Sequence, residues 1–511
     1  MGVVESQPHG AALDAGELIP DLGIIYSVEV NPHRPRFLKL VCVLLLTAAA
    51  WPQEKEKPAL DVQNARGAVV SSLACLEDPA HSYALYLPSQ YSGDRRWPII
   101  YAFDPFARGK TAVEVYQAAA EKYGYIVAAS NNSKNGPVAP QLEAAQAVWN
   151  DTHRRLAIDK DRVYTTGLSG GARVATSFAL YCYTCAITGV IAHGAGYPVG
   201  SATKQPANDH FLYYAAVGDA DLNYPELVLL RKKKDEQGAQ FKVKVYPGPH
   251  QWAPAEIVED AVAWLELKAM QAGTKKADPV FIDRLFTATQ ADAAQAEQRS
   301  DTLANYYALR SLVFDFKGLD FKGLKDAGAW ESKMSALKAS KAWKSALQRE
   351  QHDIDLQQSL VAAAQGELAQ LGSAEPDAQV ASGHRIALVL ADLRRRAHAN
   401  SGESTIYARA FTQLFIQGME AGQDEFRNNR WSAAASYFAL MAEAAPDQVW
   451  PLVALAEARV RAGNKKSALK ALEEASQRGL KHPEALAQDP ELQPLASEPA
   501  FQKIVQGASG K

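Results

Sequence analysis

Between residues 82 and 273, short apolar runs rich in β-branched and aromatic residues alternate with longer amphipathic segments. The runs predict seven strands: SYALYLP, PIIYAFD, YIVAASN, RVYTTGL, ITGVIAHG, FLYYAAVGD and FKVKVYPG. Segments such as TAVEVYQAAAEKYG and PQLEAAQAVWNDTHRRLA are long enough to form the crossover helices that parallel strands require. The alternation therefore predicts an α/β domain over residues 82–275, with a mostly parallel sheet and helices on both faces.

After residue 276 the strand-like runs stop, and Ala, Leu, Gln, Lys and Glu dominate long helical patterns. Breaks at FKGLDFKGLKDAG, LGSAEPD and ANSGEST divide these patterns into several helices. The sequence thus predicts a second, all-α part, with a helical region at 276–418 and a repeat region with a C-terminal cap at 419–511.

The repeat region shows a period of 34 residues. Three pairs share this spacing: Gly422 with Ala456, Ala434 with Ala468, and Phe438 with Leu472. Small residues at fixed points let paired helices approach closely, and Pro446 follows the second helix of the first unit. The pattern resembles the tetratricopeptide repeat, with units at Met419–Asp447 and Gln448–Gly479. Such arrays bind peptides or proteins, so a protein partner is predicted for this region.

The N-terminal part of the chain carries a pattern that predicts a targeting signal. In HRPRFLKLVCVLLLTAAA, residues 33–50, basic residues precede a short apolar run that ends in small residues. This order is typical of a secretory signal peptide, here cleaved before Trp51, and the run is short for a membrane span. Residues 1–50 are therefore interpreted as an extension plus signal peptide and 51–81 as a lead-in segment. We expect a secreted or periplasmic protein, with an uncleaved membrane anchor as the alternative.

Charge and cysteine content exclude some classes of function. The formal net charge is −3 with acids and bases intermixed, so no broad basic face is available for nucleic acid. Beyond the signal, three cysteines remain: Cys75, Cys182 and Cys185. The CYTC spacing has no second pair or histidine cluster to complete a metal site, which favours a buried pair or a local disulfide.

A candidate nucleophile lies in RVYTTGLSGGARVATSFAL, where Gly167-Leu168-Ser169-Gly170-Gly171 fits the G-x-S-x-G pattern. The pattern is short and frequent by chance, but here a predicted strand precedes it and a helical spacing follows it. This context places Ser169 on a strand-to-helix elbow, where glycines permit a strained backbone. The alternative is a glycine-rich turn with an inert serine.

A serine nucleophile needs a base, and the base needs a carboxylate. His250, in VYPGPHQWAP, follows the last predicted strand, whereas His193 is interpreted as a core residue and His210 precedes a strand. Asp219 and Asp221 both follow the penultimate strand. We favour Asp221 because it lies one turn beyond the strand end, and Asp219 stays open as the alternative. The order Ser, Asp, His is that of α/β-hydrolases.

Hydrolysis through a serine also needs two backbone amides that stabilise negative charge on the carbonyl oxygen. One is predicted at Gly170, directly after the nucleophile. The second should come from the loop AFDPFARGK, which lacks the His-Gly dipeptide often found there. Pro105 has no N–H, so Phe106 is the candidate donor.

Residues Tyr83 to about Gly273 resemble secreted esterases of the α/β-hydrolase family, such as feruloyl esterases and polyhydroxybutyrate depolymerases. The likeness lies mainly in AIDKDRVYTTGLSGGA and GPHQW. It implies carboxylic ester hydrolysis through an acyl-enzyme, without a metal or organic cofactor, and maps the family's nucleophile, acid and base onto Ser169, Asp221 and His250. The loop SNNSKNGP should lie at the same sheet edge, where it either contacts substrate or forms a simple turn.

Three functions are compatible with these features. The first is a secreted or periplasmic serine esterase that acts on a small or polymer-linked ester and carries a helical module for protein interaction. The second is a non-catalytic scaffold with the hydrolase fold, whose repeats bind partners. The third is a peptidase or acyltransferase with the same triad, because one fold hosts many activities.

Overall fold

The computed structural model describes residues 65–198, 210–236, 241–321, 327–373 and 375–507. The predicted N-terminal extension and signal peptide, 1–50, lie outside these ranges, as does the first part of the lead-in segment. Within the described ranges, no helix is both long and apolar enough to cross a bilayer.

In the part of the chain that the structure describes, all seven predicted strands are present, together with one further strand. The strands are β1 Val69–Ala74, β2 Ser82–Tyr86, β3 Trp97–Phe103, β4 Ile126–Ser130, β5 Ile158–Leu168, β6 Gly189–His193, β7 Leu212–Ala220 and β8 Phe241–Pro249. They form one sheet in the order β1-β2-β4-β3-β5-β6-β7-β8. β1 pairs antiparallel with β2, and β2 pairs antiparallel with β4, whereas all pairs from β4 to β8 are parallel. The predicted α/β-hydrolase fold class is confirmed.

Five helices cover the two faces of the sheet. They are α1 Gly109–Tyr123, α2 Val138–Arg155, α3 Gly170–Tyr181, α4 Tyr224–Glu236 and α5 Ala255–Gln271. Strand residues alternate between the faces: Ile126 and Ala128 pack in the core that includes α2 and α3, and Val127 and Ala129 in the core that includes α1 and α5. This burial of both faces explains why the central strands are almost continuously apolar.

The second part of the chain is all-helical, as predicted. Its helices are α6 Pro279–Gln298, α7 Thr302–Phe314, α8 Ala327–Ala339, α9 Lys341–Gln370, α10 Pro376–Ala397, α11 Ser404–Arg427, α12 Trp431–Ala444, α13 Trp450–Arg461, α14 Lys465–Gln477 and α15 Pro499–Val505. Asp278 caps α6 through the amides of Val280 and Phe281, and Pro279 occupies its first position. α5 packs on the sheet with one side and contributes to the α6 and α7 core with another, which explains its apolar character.

The 34-residue period corresponds to close helix packing. Ala434, Ala456 and Ala468 are fully buried between successive helices from α11 to α14. A Cβ on Gly422 would lie 2.5 Å from Cε1 of Phe438, so this crossing requires glycine. The packing agrees with the predicted units, and membership of the tetratricopeptide family stays a prediction.

The CYTC segment follows α3 and contains a local disulfide between Cys182 and Cys185. Cys75 is a free, buried thiol, and burial raises its pKa to about 11. Within the described ranges, no group of three or more His, Cys, Asp or Glu side chains is arranged to hold a metal ion.

Candidate active site

Ser169 occupies a strained turn between β5 and α3. Its backbone has φ 55° and ψ −121°, a conformation that non-glycine residues rarely adopt. The flanking glycines are required by close approach: a Cβ on Gly167 would lie 2.2 Å from the carbonyl carbon of Gly171, and a Cβ on Gly171 would lie 2.0 Å from the Phe103 oxygen. The elbow predicted from the sequence is therefore present at the carboxyl end of β5, where Ser169 is partly exposed.

His250 and Asp221 form a hydrogen-bonded pair. His250 Nδ1 lies 2.8 Å from Asp221 Oδ1, and the Asp221 side chain is fully buried, whereas 14% of the His250 side chain is exposed. The same carboxylate oxygen accepts a hydrogen bond of 2.8 Å from the Asn223 amide. A neutral imidazole that donates from Nδ1 to Asp221 keeps the lone pair of Nε2 free to accept a proton.

Asp219 has a different contact. Its Oδ1 accepts a hydrogen bond of 3.0 Å from the amide of Gly248, two residues before His250. The structure thus brings Asp221, and not Asp219, to the imidazole. Both aspartates contact the segment that carries His250. Asp219 binds the backbone amide of Gly248, and Asp221 binds the His250 side chain.

The elbow and the acid–base pair meet at His193 and Gly194, at the end of β6. The Ser169 amide donates to the His193 carbonyl oxygen over 2.8 Å. Gly194 has φ +61°, and a Cβ there would lie 2.7 Å from Asp221 Oδ2 and 3.0 Å from His250 Nδ1. One dipeptide therefore contacts both the Ser169 backbone and the His250–Asp221 pair, which places the three predicted triad residues around it. The glycine after a strand end in VIAHGAG was the signal that sequence reasoning passed over.

His193 is a core residue, as predicted from the sequence. It is fully buried, and its Nε2 lies 2.7 Å from the hydroxyl of Tyr116. Burial lowers its pKa to about 3, so the ring is neutral at ordinary pH. His210 lies in an exposed turn before β7.

The two predicted oxyanion donors differ in their surroundings. Gly170 is the first residue of α3, where amides have no acceptor within the helix. The Phe106 amide instead donates over 2.9 Å to Oδ1 of Asp104, so in this structure it is already engaged. The role of Phe106 stays a prediction, and its use by substrate requires the Asp104 hydrogen bond to give way.

Asp104 connects the loop after β3 with the loop after His250, and sequence reasoning missed it. This buried carboxylate accepts two hydrogen bonds of 2.9 Å from the Arg108 guanidinium and one of 3.0 Å from Trp252 Nε1. Burial acts to raise its pKa, but the hydrogen bonds from Arg108 and Trp252 outweigh burial and lower it. The carboxylate therefore stays charged and fixes Trp252, two residues after His250.

The loop SNNSKNGP reaches the elbow at Gly170. Lys134 forms a single antiparallel bridge with Phe106, and the Asn135 amide donates over 2.8 Å to the Pro105 oxygen. The Asn135 side chain lies against Gly170, because a Cβ on that glycine would be 1.9 Å from Asn135 Oδ1. This exposed amide is thus next to the predicted oxyanion donor, where it can contact a bound acyl group.

Comparisons with known proteins assign no family to the chain. No protein-family model matches the chain, and no curated protein matches it. Among solved structures, an S-formylglutathione hydrolase from Staphylococcus aureus is 14% identical, with a TM-score of 0.30, covering 36% of this chain and 90% of that one. A ferulic acid esterase is 12% identical, with a TM-score of 0.30 and coverages of 36% and 91%. An esterase from Pyrobaculum calidifontis is 14% identical, with a TM-score of 0.31 and coverages of 39% and 85%. The fold assignment itself rests on the sheet order and the elbow described above.

Proposed function

We propose that this protein is a serine hydrolase that cleaves carboxylic esters through an acyl-enzyme on Ser169. The observation that carries the proposal is the 2.8 Å pairing of a buried Asp221 with His250, directly beside the strained Ser169 elbow. A structural turn needs neither a strained serine nor a buried carboxylate behind a histidine.

The residues suit the two half-reactions of acyl transfer. His250 Nε2 takes the proton of the Ser169 hydroxyl as its oxygen attacks the ester carbonyl, and Asp221 stabilises the imidazolium that results. The Gly170 amide, at the start of α3, donates to the developing oxyanion. His250 then gives the proton to the leaving alcohol, and a water molecule repeats the sequence to release the acid.

The pattern at residues 33–50 supports export of this hydrolase to the periplasm or medium, with removal of the signal before Trp51. A local disulfide at Cys182–Cys185 suits such an oxidising compartment. N-terminal sequencing of the exported protein tests the cleavage site, and a retained Met1 would contradict it. The all-helical part is proposed to bind a protein partner.

A fluorophosphonate probe tests the proposal directly. We expect the purified protein to form an adduct that mass spectrometry locates on Ser169, and the Ser169→Ala variant to form none. Ester turnover should fall by about 10⁶-fold in this variant, because the remaining groups cannot form an acyl-enzyme. A folded wild-type protein that remains unlabelled and inactive on a panel of esters would instead favour the non-catalytic scaffold. A labelled protein that cleaves peptides but no esters would favour the peptidase.

A further inference from the structure

The loop that carries the acid of the triad is held from outside its own domain. This acid loop, residues 219–224, joins β7 to α4. The Arg409 guanidinium on α11 donates from Nη1 to the Asp219 carbonyl oxygen over 3.0 Å and lies 4.3 Å from the centre of the Tyr224 ring. Gln357 Nε2 on α9 donates to the Leu222 carbonyl oxygen over 2.9 Å. Backbone oxygens on both sides of Asp221 are thus fixed by the all-helical part.

These two side chains are not surface contacts. Arg409 is 3% exposed and Gln357 is 1% exposed, and Gln357 also donates to Gln413 Oε1 on α11 over 3.0 Å. Arg409, Gln413 and Glu420 follow one another on α11 at spacings that keep them on one face of the helix. Glu420 is within electrostatic range of His250 and Arg173. α11 therefore runs past the active site, from the acid loop towards the base.

The polar groups beside the acid loop are incompletely satisfied. Among the described residues, Arg409 Nε and Nη2, Gln357 Oε1 and Asp221 Oδ2 are buried without a hydrogen-bond partner. Buried polar atoms of this kind cost free energy, so a helix interface selected for stability alone would avoid them. These four atoms belong to Asp221 and to the two side chains that hold its loop.

We propose that Arg409 and Gln357 are positioning residues of the hydrolase, which hold the acid loop so that Asp221 stays on His250. The all-helical part thereby completes the active site and is not a detachable module. The inference rests on the proposed triad, because positioning matters only if Asp221 and His250 act in catalysis. The physical basis is that a displacement of about 1 Å in such a group can lower the rate by about 100-fold.

The test compares Arg409→Met with Arg310→Met in the full chain. Arg310, on α7, is also buried and also joins the helices to the hydrolase domain, through Asp235 Oδ1 at 2.6 Å and the Phe241 oxygen at 3.4 Å. Asp235 and Phe241 lie at the ends of α4 and β8 opposite the acid loop. We expect Arg409→Met to lower kcat on a small ester by about 100-fold with little change in KM, and Arg310→Met to leave both near wild type.

The pH profile of the Gln357→Met variant is a second test, because a general loss of stability does not move that profile. The substitution removes a donor without altering charge, so any change in the base arises from movement of Asp221. A displaced carboxylate stabilises the imidazolium form of the base less, so we expect the acid limb of the kcat/KM profile to move to lower pH. If Arg409→Met does not fold, this variant alone decides the question.

Hydrogen exchange separates this inference from the proposed function. Faster exchange of residues 218–224 in Arg409→Met, but not in Arg310→Met, supports positioning even if the protein proves inactive. Unchanged exchange of this segment, equal loss of kcat in both arginine variants, or an unmoved acid limb in Gln357→Met would each overturn it. Absence of probe labelling on wild-type Ser169 would overturn the proposed function alone.

Discussion

The nucleophile elbow and the acid loop belong to one site but are built in opposite ways. The contacts that shape the elbow come from within the α/β domain: Phe103 at the end of β3, His193 at the end of β6, Gly171 in the first turn of α3 and the side chain of Asn135. The acid loop is held instead by side chains 135 and 190 residues further along the chain. The comparison indicates that contacts within the α/β domain shape the Ser169 elbow, whereas the loop that carries the proposed acid, Asp221, is also held by the helices.

Within the acid loop, the largest expected effect is the difference in kcat between variants of its two aspartates. Asp221→Asn removes the carboxylate on His250 and disturbs the tautomer, so we expect kcat to fall by about 10⁴-fold. Asp219→Asn retains an oxygen that can accept from Gly248, and its effect should stay within about 10-fold. Steady-state ester kinetics of both variants test this, and the reverse order would transfer the role of acid to Asp219.

A smaller effect is expected where the elbow and the acid loop meet. A methyl group at Gly194 would lie 2.7 Å from Asp221 Oδ2 and 3.0 Å from His250 Nδ1, so Gly194→Ala must push the pair apart. We expect kcat to fall by about 100-fold. The positive φ of this residue adds about 1–2 kcal/mol of destabilisation.

Gly273→Ala is the matched control for that variant. Gly273 has φ +76°, and a Cβ at this position would meet no atom within 4 Å, so a methyl group there causes backbone strain alone. Thermal unfolding should show destabilisation of both variants, larger for Gly194→Ala because of the added steric contact, and ester kinetics should show a loss only for Gly194→Ala. Equal kcat in the two variants would mean that Gly194 does not set the position of the pair.

Sequence reasoning located candidate site residues where they have a local signature. Ser169 follows a strand and precedes a helix, and His250 follows the last strand, so both could be placed at the carboxyl edge without knowledge of distant contacts. β1 was missed because VVSSLA is short and has two serines at its centre, as an edge strand can have. Asp104 was missed because its partner Trp252 is 148 residues away.

The anchors of the acid loop could not be predicted for a related reason. In a helical pattern, Arg409 and Gln357 occupy positions that are normally solvent-exposed, and nothing in their neighbouring residues indicates burial against another domain. Only the packing of α9 and α11 on the hydrolase domain shows that these residues face the loop. Contacts of this kind depend on tertiary structure, and periodicity carries no information on them.

The smallest expected effect concerns how the two parts respond to pH. In the sheet, the neutral His193 has a pKa of about 3, below its ordinary value of 6.5. The unfolded state therefore binds more protons as pH falls below 6.5, and stability is lost towards acid. In α13, burial together with Asp489 and Glu491 raises the pKa of Glu457 to about 8 from 4.5. There the folded state binds more protons, so stability is lost as pH rises from 4.5 through 8.

Glu457→Gln tests the predicted loss of stability in α13 at high pH, and it also tests whether the helices and the sheet unfold together. The amide does not ionise, so the variant should gain about 1 kcal/mol relative to wild type above pH 8 and little at pH 5. Glu443→Gln, at an exposed position of α12, should have no such effect. Calorimetry across this pH range measures both variants.

The same measurement shows whether the helices and the sheet unfold together. If they unfold as one unit, there is a single transition, and Glu457→Gln raises its temperature. The loss of stability at His193 then lowers the temperature of that same transition below pH 6.5. If two transitions separate and only one responds, the helices fold independently, and the acid loop is then held by a part of the molecule that can unfold without the sheet.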